Sequence, residues 1–234
     1  MHQKPWIKIL TVIICLFLAI NLVACGKKIP EITGTPRLGW TAIKGEGVAL
    51  FLPQGFVGGN PGRDLDKITE QLKAIDPNYE QKLLGITQNP TAVALLAFKY
   101  ALDTSTVEPQ NTKDQSISGN IPAPNNVATI NVNITNQSLP KEVSLNGIME
   151  SSSQKIAKVY QVSEQKIISI KQQDGARIVA AIPNGKPAIK QVFYLIPKTE
   201  QKKVWVVTYT TLDKDFDSLL PMFTESIETL QFLS

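Results

Sequence analysis

Residues 166–211 read KIISIKQQDGARIVAAIPNGKPAIKQVFYLIPKTEQKKVWVVTYTT, and this stretch predicts the largest part of the fold. It holds four runs rich in β-branched and aromatic residues, which are Lys166–Gln173, Arg177–Ile182, Ala188–Ile196 and Lys203–Thr211. The pairs Asp174-Gly175 and Asn184-Gly185 follow the first and second runs, and such pairs accept the positive φ of a tight hairpin turn. The pattern therefore predicts a four-stranded antiparallel meander.

A helix is predicted directly after the meander. Apolar residues recur at helical spacing from Phe216 through Phe223 and Ile227 to Phe232. A helix with one apolar face can cover one face of an antiparallel sheet. We therefore predict an α+β fold in which a C-terminal helix packs on the meander.

Upstream, short strands are predicted at Trp40–Ile43 and Val48–Leu52. Asp64 is the predicted N-cap of a helix, because the apolar residues after it follow the 3.6-residue period. A further helical segment is predicted to include Tyr79 and Leu84, after a break at a proline. These elements would precede the central part of the sheet.

Two more strand patterns flank a polar segment. Thr91–Leu102 is apolar enough for a buried strand, and Val127–Ile134 alternates apolar and polar residues as a half-buried strand does. Between them, residues 103–125 are mostly Thr, Ser, Asn, Gln, Pro and Gly, which is typical either of a mobile functional loop or of a disordered segment. Ser144 is then predicted to cap a helix that reaches Tyr160.

The beginning of the chain has the pattern of an export signal. Lys4 and Lys8 precede an unbroken apolar stretch, Ile9–Ile20, and the sequence LVACG follows at residues 22–26. This pentapeptide resembles a bacterial lipobox. The resemblance implies that the thiol of Cys25 is diacylated, that the peptide is cut before Cys25, and that the new amino terminus is acylated too.

The lipobox also implies which neighbours take part in signal processing, namely Leu22, Ala24 and Gly26. Small Ala24 would give the peptidase access to the bond that it cuts. Several acyl chains make a stable anchor, since each buried CH₂ group contributes about 0.8 kcal/mol. An uncleaved anchor helix over residues 9–26 is the alternative, because that stretch just reaches the length needed to cross a bilayer.

These patterns divide the chain into three parts. Residues 1–24 are the predicted lipoprotein signal peptide, residues 25–38 are a lipidated tether, and residues 39–234 are one domain with a flexible loop at 103–125. The protein is predicted to be anchored to a bacterial cell membrane by lipid on Cys25. Its globular domain would then lie on the exported side, periplasmic or extracellular.

Composition limits the chemistry that the domain can perform. The chain has 24 basic and 20 acidic residues and 43% hydrophobic residues, so it has no electrostatic footprint of a nucleic-acid-binding protein. The only histidine is His2 and the only cysteines are Cys15 and Cys25. Histidine-based zinc sites and Ser-His-Asp or Cys-His catalytic sites therefore have no residues to form them in the domain. We expect no enzymatic activity, no cofactor and no metal.

Three strand sequences and the closing helix carry a family resemblance. They are FLPQGF at 51–56, INVNI at 130–134, VWVVTYT at 204–210, and the helix with Phe223, Ser226 and Ile227. They resemble the PsbP family, which shares a fold with DcrB-type bacterial lipoproteins. The resemblance implies a single α/β/α sandwich, a mainly antiparallel sheet with helices on both faces. It also implies a noncatalytic binding or assembly module for a membrane-associated protein partner.

A glycine-rich stretch between the second strand and the first helix is a candidate recognition loop. Gly58, Gly59 and Arg63 are its main residues, and backbone N–H groups at the start of a helix can bind an anion. The stretch lacks the Gly-Lys-Ser/Thr ending of a phosphate-binding loop. It is therefore either a plain turn or part of a recognition edge.

Two other functions remain open at this point. A carboxylate-dependent, glycosidase-like hydrolase would use Asp213, Asp215 or Glu225 and needs two acids about 5–10 Å apart in one cleft. Asp213 and Asp215 are otherwise explained by helix capping and by attraction to the helix dipole. A small-ligand carrier would instead have a large apolar cavity between sheet and helix.

The lipobox makes a direct prediction about Cys25. Replacing it with serine removes the only sulfur that can form the thioether, so Cys25→Ser should abolish both lipid labelling and cleavage of the signal peptide. Metabolic labelling with a radioactive fatty acid, together with the mass of the mature protein, measures the two effects. Cys15→Ser is the control and should leave both unchanged. Labelling and cleavage that persist in Cys25→Ser would contradict the lipobox.

Overall fold

The structure is a computed structural model that describes residues 37–73, 88, 90–101, 128–139, 143–185 and 188–233. The predicted signal peptide, Cys25 with its neighbours Leu22, Ala24 and Gly26, and the predicted 103–125 loop lie outside the described residues. The helical segment predicted around Tyr79 and Leu84 lies outside them as well.

The central feature is a seven-stranded antiparallel sheet. Its strands are β3 (Val57–Gly59), β4 (Val93–Ala101), β5 (Ala128–Ser138), β6 (Gln161–Ile170), β7 (Gln173–Ala181), β8 (Ile189–Lys198) and β9 (Lys203–Leu212). Their order across the sheet is β3-β4-β5-β9-β8-β7-β6. The last four strands pair consecutively, which confirms the predicted meander.

A small sheet of three strands accompanies the large one. It consists of β1 (Trp40–Lys44), β2 (Val48–Pro53) and β10 (Gln231–Phe232), in the order β1-β2-β10. The two predicted N-terminal strands are thus confirmed. The assignment of Phe232 to the C-terminal helix is wrong, because Phe232 pairs with Val48 in this sheet.

The helices of the described residues are α1 (Pro61–Lys73), α2 (Leu145–Ile156) and α3 (Asp213–Ile227), and a 3₁₀ turn at Pro90–Ala92 leads into β4. α1 packs beside β3 and β4, and α2 beside β6 and β7. α3 packs on β8, β9 and β2. The fold is therefore α+β, with helices on both faces of a mainly antiparallel sheet, as the sequence predicts.

Successive side chains of each strand point to opposite faces of the large sheet, so apolar core lies on both faces. On β5, Ile130, Val132 and Ile134 are buried in the cluster that also contains the apolar residues of α3 and of the small sheet. α1 and α2 cover separate apolar clusters, which contain Leu96 and Ile178 respectively. The small sheet and α3 therefore share one face of the large sheet, and α1 and α2 share the other.

The first meander hairpin differs from its prediction. The turn between β6 and β7 is Lys171-Gln172, where both residues have positive φ, 49° and 64°. Gly175 lies within β7 instead, and a Cβ there would approach the Leu195 carbonyl oxygen to 3.0 Å. This glycine serves close packing between strands rather than a turn. Asn184 of the second hairpin does have positive φ, 56°, as predicted.

The two predicted helix starts have different outcomes. Ser144 caps α2 as predicted, since its Oγ accepts the Gly147 N–H at 3.2 Å. α2 ends at Ile156, so Tyr160 lies beyond it and packs edge-on against the ring of Phe193. α1 begins earlier than predicted: Pro61 is its first residue, and the Asn60 side chain accepts the Gly62 N–H at 2.9 Å. Asp64, the predicted cap, lies at a kink inside α1, where its φ of −110° and ψ of 20° are not helical.

A buried hydrogen-bond chain joins β9, α3 and β2. The Tyr209 hydroxyl donates to Ser226 Oγ at 2.9 Å, and Ser226 Oγ donates to the Phe51 carbonyl oxygen at 2.8 Å. Burial raises the pKa of Tyr209 well above its usual value, so the hydroxyl keeps the proton that it donates. The ring of Tyr209 also stacks on Phe223 at 4.8 Å between centroids. One tyrosine therefore contacts a helix through its ring and a helix hydroxyl through its oxygen.

This chain predicts a large effect for a small change. Ser226→Ala leaves the Tyr209 hydroxyl without its acceptor and weakens the contacts of the Phe51 carbonyl, so it should lower the free energy of unfolding by about 1–3 kcal/mol. In the Ser226→Ala variant, Tyr209→Phe removes the hydroxyl that has lost its acceptor. There it should lower the free energy of unfolding by less than it does in the wild type. Urea unfolding of the wild type, the two single variants and the double variant measures the coupling between the two hydroxyls. Strictly additive effects would contradict the hydrogen-bond chain.

Candidate functional site

A surface cleft lies between the edges of β1 and β3 and one side of α1, and we call it the β1–β3 cleft. Its volume is about 450 Å³. Its walls are residues 41–44 of β1, residues 56–59, and four α1 side chains, those of Arg63, Asp64, Lys67 and Gln71. The structure therefore brings Gly58, Gly59 and Arg63, the candidate recognition loop, together in one cleft.

Packing explains why glycine occupies two positions of this loop. A Cβ on Gly58, which has φ +154°, would lie 2.1 Å from the Leu96 carbonyl oxygen of the neighbouring strand. A Cβ on Gly59 would lie 3.0 Å from Asp64 Oδ2. Gly58 thus lets β3 approach β4, and Gly59 makes room for a carboxylate at the start of α1.

The start of α1 is occupied by internal hydrogen bonds. The Asn60 carbonyl oxygen accepts the N–H groups of Arg63 at 3.1 Å and Asp64 at 2.7 Å, and the Asn60 side chain accepts that of Gly62. Asn60 Nδ2 also donates to Glu46 at 2.9 Å. These N–H groups are already used, so the anion-binding interpretation of the loop backbone loses its donors. The positive character of the cleft comes from side chains instead.

Arg63 and Asp64 form a pair at the mouth of the cleft. The guanidinium donates two hydrogen bonds of 3.0 Å to the two carboxylate oxygens. These bonds lower the pKa of Asp64, with the Asn60 N–H and Lys67 acting in the same direction against partial burial. The same pair raises the pKa of Arg63. Asp64 is therefore ionised and neutralised by its neighbour.

Lys44 and Lys67 complete the cleft and were not singled out from the sequence. Both are exposed, and within the described part of the chain neither forms an ion pair. Lys67 follows Arg63 by four residues, a helical spacing that could have suggested a shared face. Lys44 lies at the far end of β1, and only the fold brings it to α1. The cleft thus carries an excess of positive charge.

A second cleft, of about 530 Å³, lies between α3 and β7 with Arg177 at its floor. Arg177 donates two hydrogen bonds to Glu164, at 2.8 and 3.1 Å, which lowers the pKa of Glu164. Among the α3 carboxylates that line it, Glu225 pairs with Arg37, Asp217 lies 3.5 Å from Lys190, and Glu228 accepts the Lys171 N–H. Its charges are therefore paired within the chain.

The carboxylates considered for a hydrolase lie on one helix. Asp213 and Asp215 are in the first turn of α3 and Glu225 is near its end. At a rise of about 1.5 Å per residue, Glu225 is about 15 Å or more from either along the helix axis, beyond the spacing of a glycosidase pair. The capping role proposed for the aspartates is wrong, because Leu212 is the N-cap and no side chain caps the helix. Their attraction to the helix dipole remains.

Aromatic rings fill the space between the sheet and α3 where a ligand carrier would have its cavity. Phe216 and Phe223 lie 6.4 Å apart between centroids, and Tyr194 and Tyr209 meet edge to face at 5.9 Å. All four side chains are at most 1% exposed. Because these rings occupy that space, the structure does not favour an apolar ligand there.

In the described ranges, no helix combines the length and the apolar character that crossing a bilayer requires. The candidate anchor segment over residues 9–26 lies outside those ranges.

Comparisons with known proteins give likenesses of fold at low identity. No protein-family model matches the chain, and no curated protein matches it. The chain is similar to the cyanobacterial PsbP protein (CyanoP) of Synechocystis, with 10% identity, coverage of 91% of this chain and 99% of that one, and a TM-score of 0.45. It is also similar to LpqN of Mycobacterium tuberculosis, a protein involved in cell envelope biogenesis, with 11% identity, coverage of 90% and 88%, and a TM-score of 0.39.

A protein of unknown function from Pseudomonas aeruginosa, PA94, matches 52% of this chain and 86% of its own, with 14% identity and a TM-score of 0.39. CyanoP carries the name of the family that the sequence resembles. The α+β fold follows from this chain's own strand order and layers.

The Arg63–Asp64 pair predicts a pH dependence. The pKa of Asp64 in the folded protein is below its ordinary value of 3.8, so its ionised form stabilises the fold above that pH, and the contribution disappears as pH falls through the lowered pKa. Asp64→Asn should lower the free energy of unfolding by about 1 kcal/mol or less at neutral pH. The difference from wild type should shrink in acid, as urea unfolding at several pH values would show. Asp66→Asn, at an exposed position of α1, is the control.

Proposed function

We propose that this chain is an exported, lipid-anchored, noncatalytic module that binds another protein at a bacterial membrane surface. The lipobox around Cys25 supports the anchor, and the resemblance to the PsbP family supports a binding or assembly role. The observation that carries the proposal is the β1–β3 cleft, which is lined by Lys44, Arg63 and Lys67 and by one carboxylate, Asp64, that Arg63 already neutralises. Glu46, which also acts on Arg63, is hydrogen-bonded to Asn60 beside the cleft.

Charged groups elsewhere on the domain support this choice of surface. Arg177, the cation that lines the second cleft, donates two hydrogen bonds to Glu164, and the facing carboxylates have cationic or N–H partners. Such pairs satisfy each other and stabilise the fold. In the β1–β3 cleft, by contrast, Lys44 and Lys67 form no ion pair with the described residues. Lys67 acts on Asp64 only through its charge, so both lysines can meet an acidic surface.

The lipid anchor gives this binding module a location. A multiply acylated amino terminus holds the domain at the membrane without affinity of the domain itself for lipid. Binding then needs only a partner in or near the same membrane. A weak interaction suffices, because confinement to one surface raises the effective concentration of the two proteins.

Capture of partners from solubilised membranes tests the proposal. The full chain with its anchor should recover a specific membrane-associated protein, and the triple variant Lys44→Glu, Arg63→Glu, Lys67→Glu should lose it, because the charge of the cleft is reversed. Recovered proteins are quantified by mass spectrometry and compared with a control that carries the lipid anchor without the domain.

A matched triple variant, Lys155→Glu, Lys158→Glu, Lys202→Glu, changes the net charge equally at exposed positions away from the cleft. It should recover the partner as the wild type does. Recovery of no specific protein by the wild type would refute the binding function. Equal recovery by both triple variants would keep the function and refute this cleft as its site.

A further inference from the structure

The two strands that flank the β1–β3 cleft are both edge strands. Among the described strands, β1 has β2 as its one neighbour in the small sheet, and β3 has β4 as its one neighbour in the large sheet. Successive side chains of a strand point to opposite faces, so a cleft lined by four consecutive residues, 41–44, follows the backbone edge of β1 rather than one face. The cleft therefore opens onto strand backbone.

The pairing of β1 with β2 determines which backbone groups face the cleft. Gly45 donates to the Val48 carbonyl oxygen, and residues alternate between pairs that exchange hydrogen bonds and pairs that do not. Thr41 and Ile43 are thus hydrogen-bonded to β2, while the N–H and C=O groups of Ala42 and Lys44 point away from it. In the part of the chain that the structure describes, these outward groups have no hydrogen-bond partner.

A side-chain acceptor on the opposite wall is also unpaired. Gln71 Oε1 is buried, yet none of the described residues donates a hydrogen bond to it. Gln71 belongs to α1 and lines the cleft together with Lys67, one turn before it. Because this oxygen is buried, a chain bound in the cleft would supply the missing donor only after the Gln71 side chain rotates toward it.

Charge selects what kind of chain fits between these walls. Lys44 lies at one end of β1, and Arg63 and Lys67 lie across from it on α1. An exposed strand edge binds an extended segment through main-chain hydrogen bonds, and side-chain pockets and charges give the specificity. Cations on both walls favour carboxylates, and an aspartate- or glutamate-rich segment is the complementary occupant.

We propose that the β1–β3 cleft accepts an extended acidic segment of a partner protein, which adds as a further strand to the free edge of β1. Its backbone pairs with Ala42 and Lys44, and its acidic side chains meet Lys44, Arg63 and Lys67. The cleft is lined by residues 41–44 of β1, and the turn after Lys44 is bonded to β4 through the Glu46 N–H, so the paired segment is about four residues long and ends at Lys44. This inference rests on the proposed protein-binding function and specifies the partner's chemistry.

Amide exchange with a defined probe tests the inference. The probe is an eight-residue peptide of alternating valine and glutamate, added to the full chain with its anchor in detergent micelles. Binding should slow exchange of the Ala42 and Lys44 amides at least tenfold, while the Thr41 and Ile43 amides, already bonded to β2, change little. Binding without this alternating pattern would overturn strand addition, and absence of binding would overturn the proposed cleft occupant.

Variants separate the backbone contribution from the charge contribution. Ala42→Pro removes one outward N–H, and proline is tolerated on an edge strand where its N–H would face solvent. It should weaken peptide binding at least tenfold with little change in the urea unfolding midpoint. If Ala42→Pro fails to fold, Lys44→Glu with Lys67→Glu leaves the backbone intact and should weaken binding at least fivefold. Unweakened binding by whichever of these variants folds would overturn the inference.

Two controls complete the experiment. A peptide of alternating valine and lysine should bind at least tenfold more weakly than the glutamate peptide, and equal affinities would overturn the charge selection. Lys158→Glu, at an exposed position after α2, should bind the glutamate peptide within twofold of the wild type. A protein partner captured from membranes alongside a negative peptide result would leave the proposed function standing and remove only this mode of binding.

Discussion

The structure depends on how the apolar face of the large sheet that carries Tyr209 is covered. α3 covers β8 and β9 there, and the small sheet packs beside α3 to cover more of the same face. The hydrogen-bond chain from Tyr209 through Ser226 to the Phe51 carbonyl fixes these two covering elements to the sheet and to each other. Because β2 is held in this way, β1 on its outer side is held too, and one wall of the cleft follows from the packing of the core.

Close backbone contact closes one end of the cleft. The Glu46 N–H donates to the Ala94 carbonyl oxygen at 2.7 Å, which joins the turn after β1 to β4. A Cβ on Gly45 would lie 2.3 Å from that same oxygen, so glycine is required for the two sheets to meet. The candidate site is therefore a gap left where two sheets converge, and its rigidity comes from the backbone.

Two sets of polar groups in the described residues contrast with each other. Glu164 with Arg177, and Tyr209 with Ser226, are satisfied by each other and serve stability. The outward backbone groups of β1 and the Oε1 atom of Gln71 are unsatisfied within the described residues, and they meet at one cleft with excess positive charge. The paired groups of the core lie apart from this cleft, so variants of Lys44 and Lys67 can test the proposed binding while the core remains intact.

The sequence by itself determined the elements whose signals are local. The alternation of Ile130, Val132 and Ile134 and the cap at Ser144 were readable because side-chain periodicity and capping act over a few residues. Local signals failed at Gly175, where the glycine serves contact with another strand. They also failed at Phe232, which joins β2 from a distant part of the chain. Only the tertiary structure brought Lys44 beside Arg63 and Lys67 and left one edge of β1 open, because these relations depend on how two sheets pack.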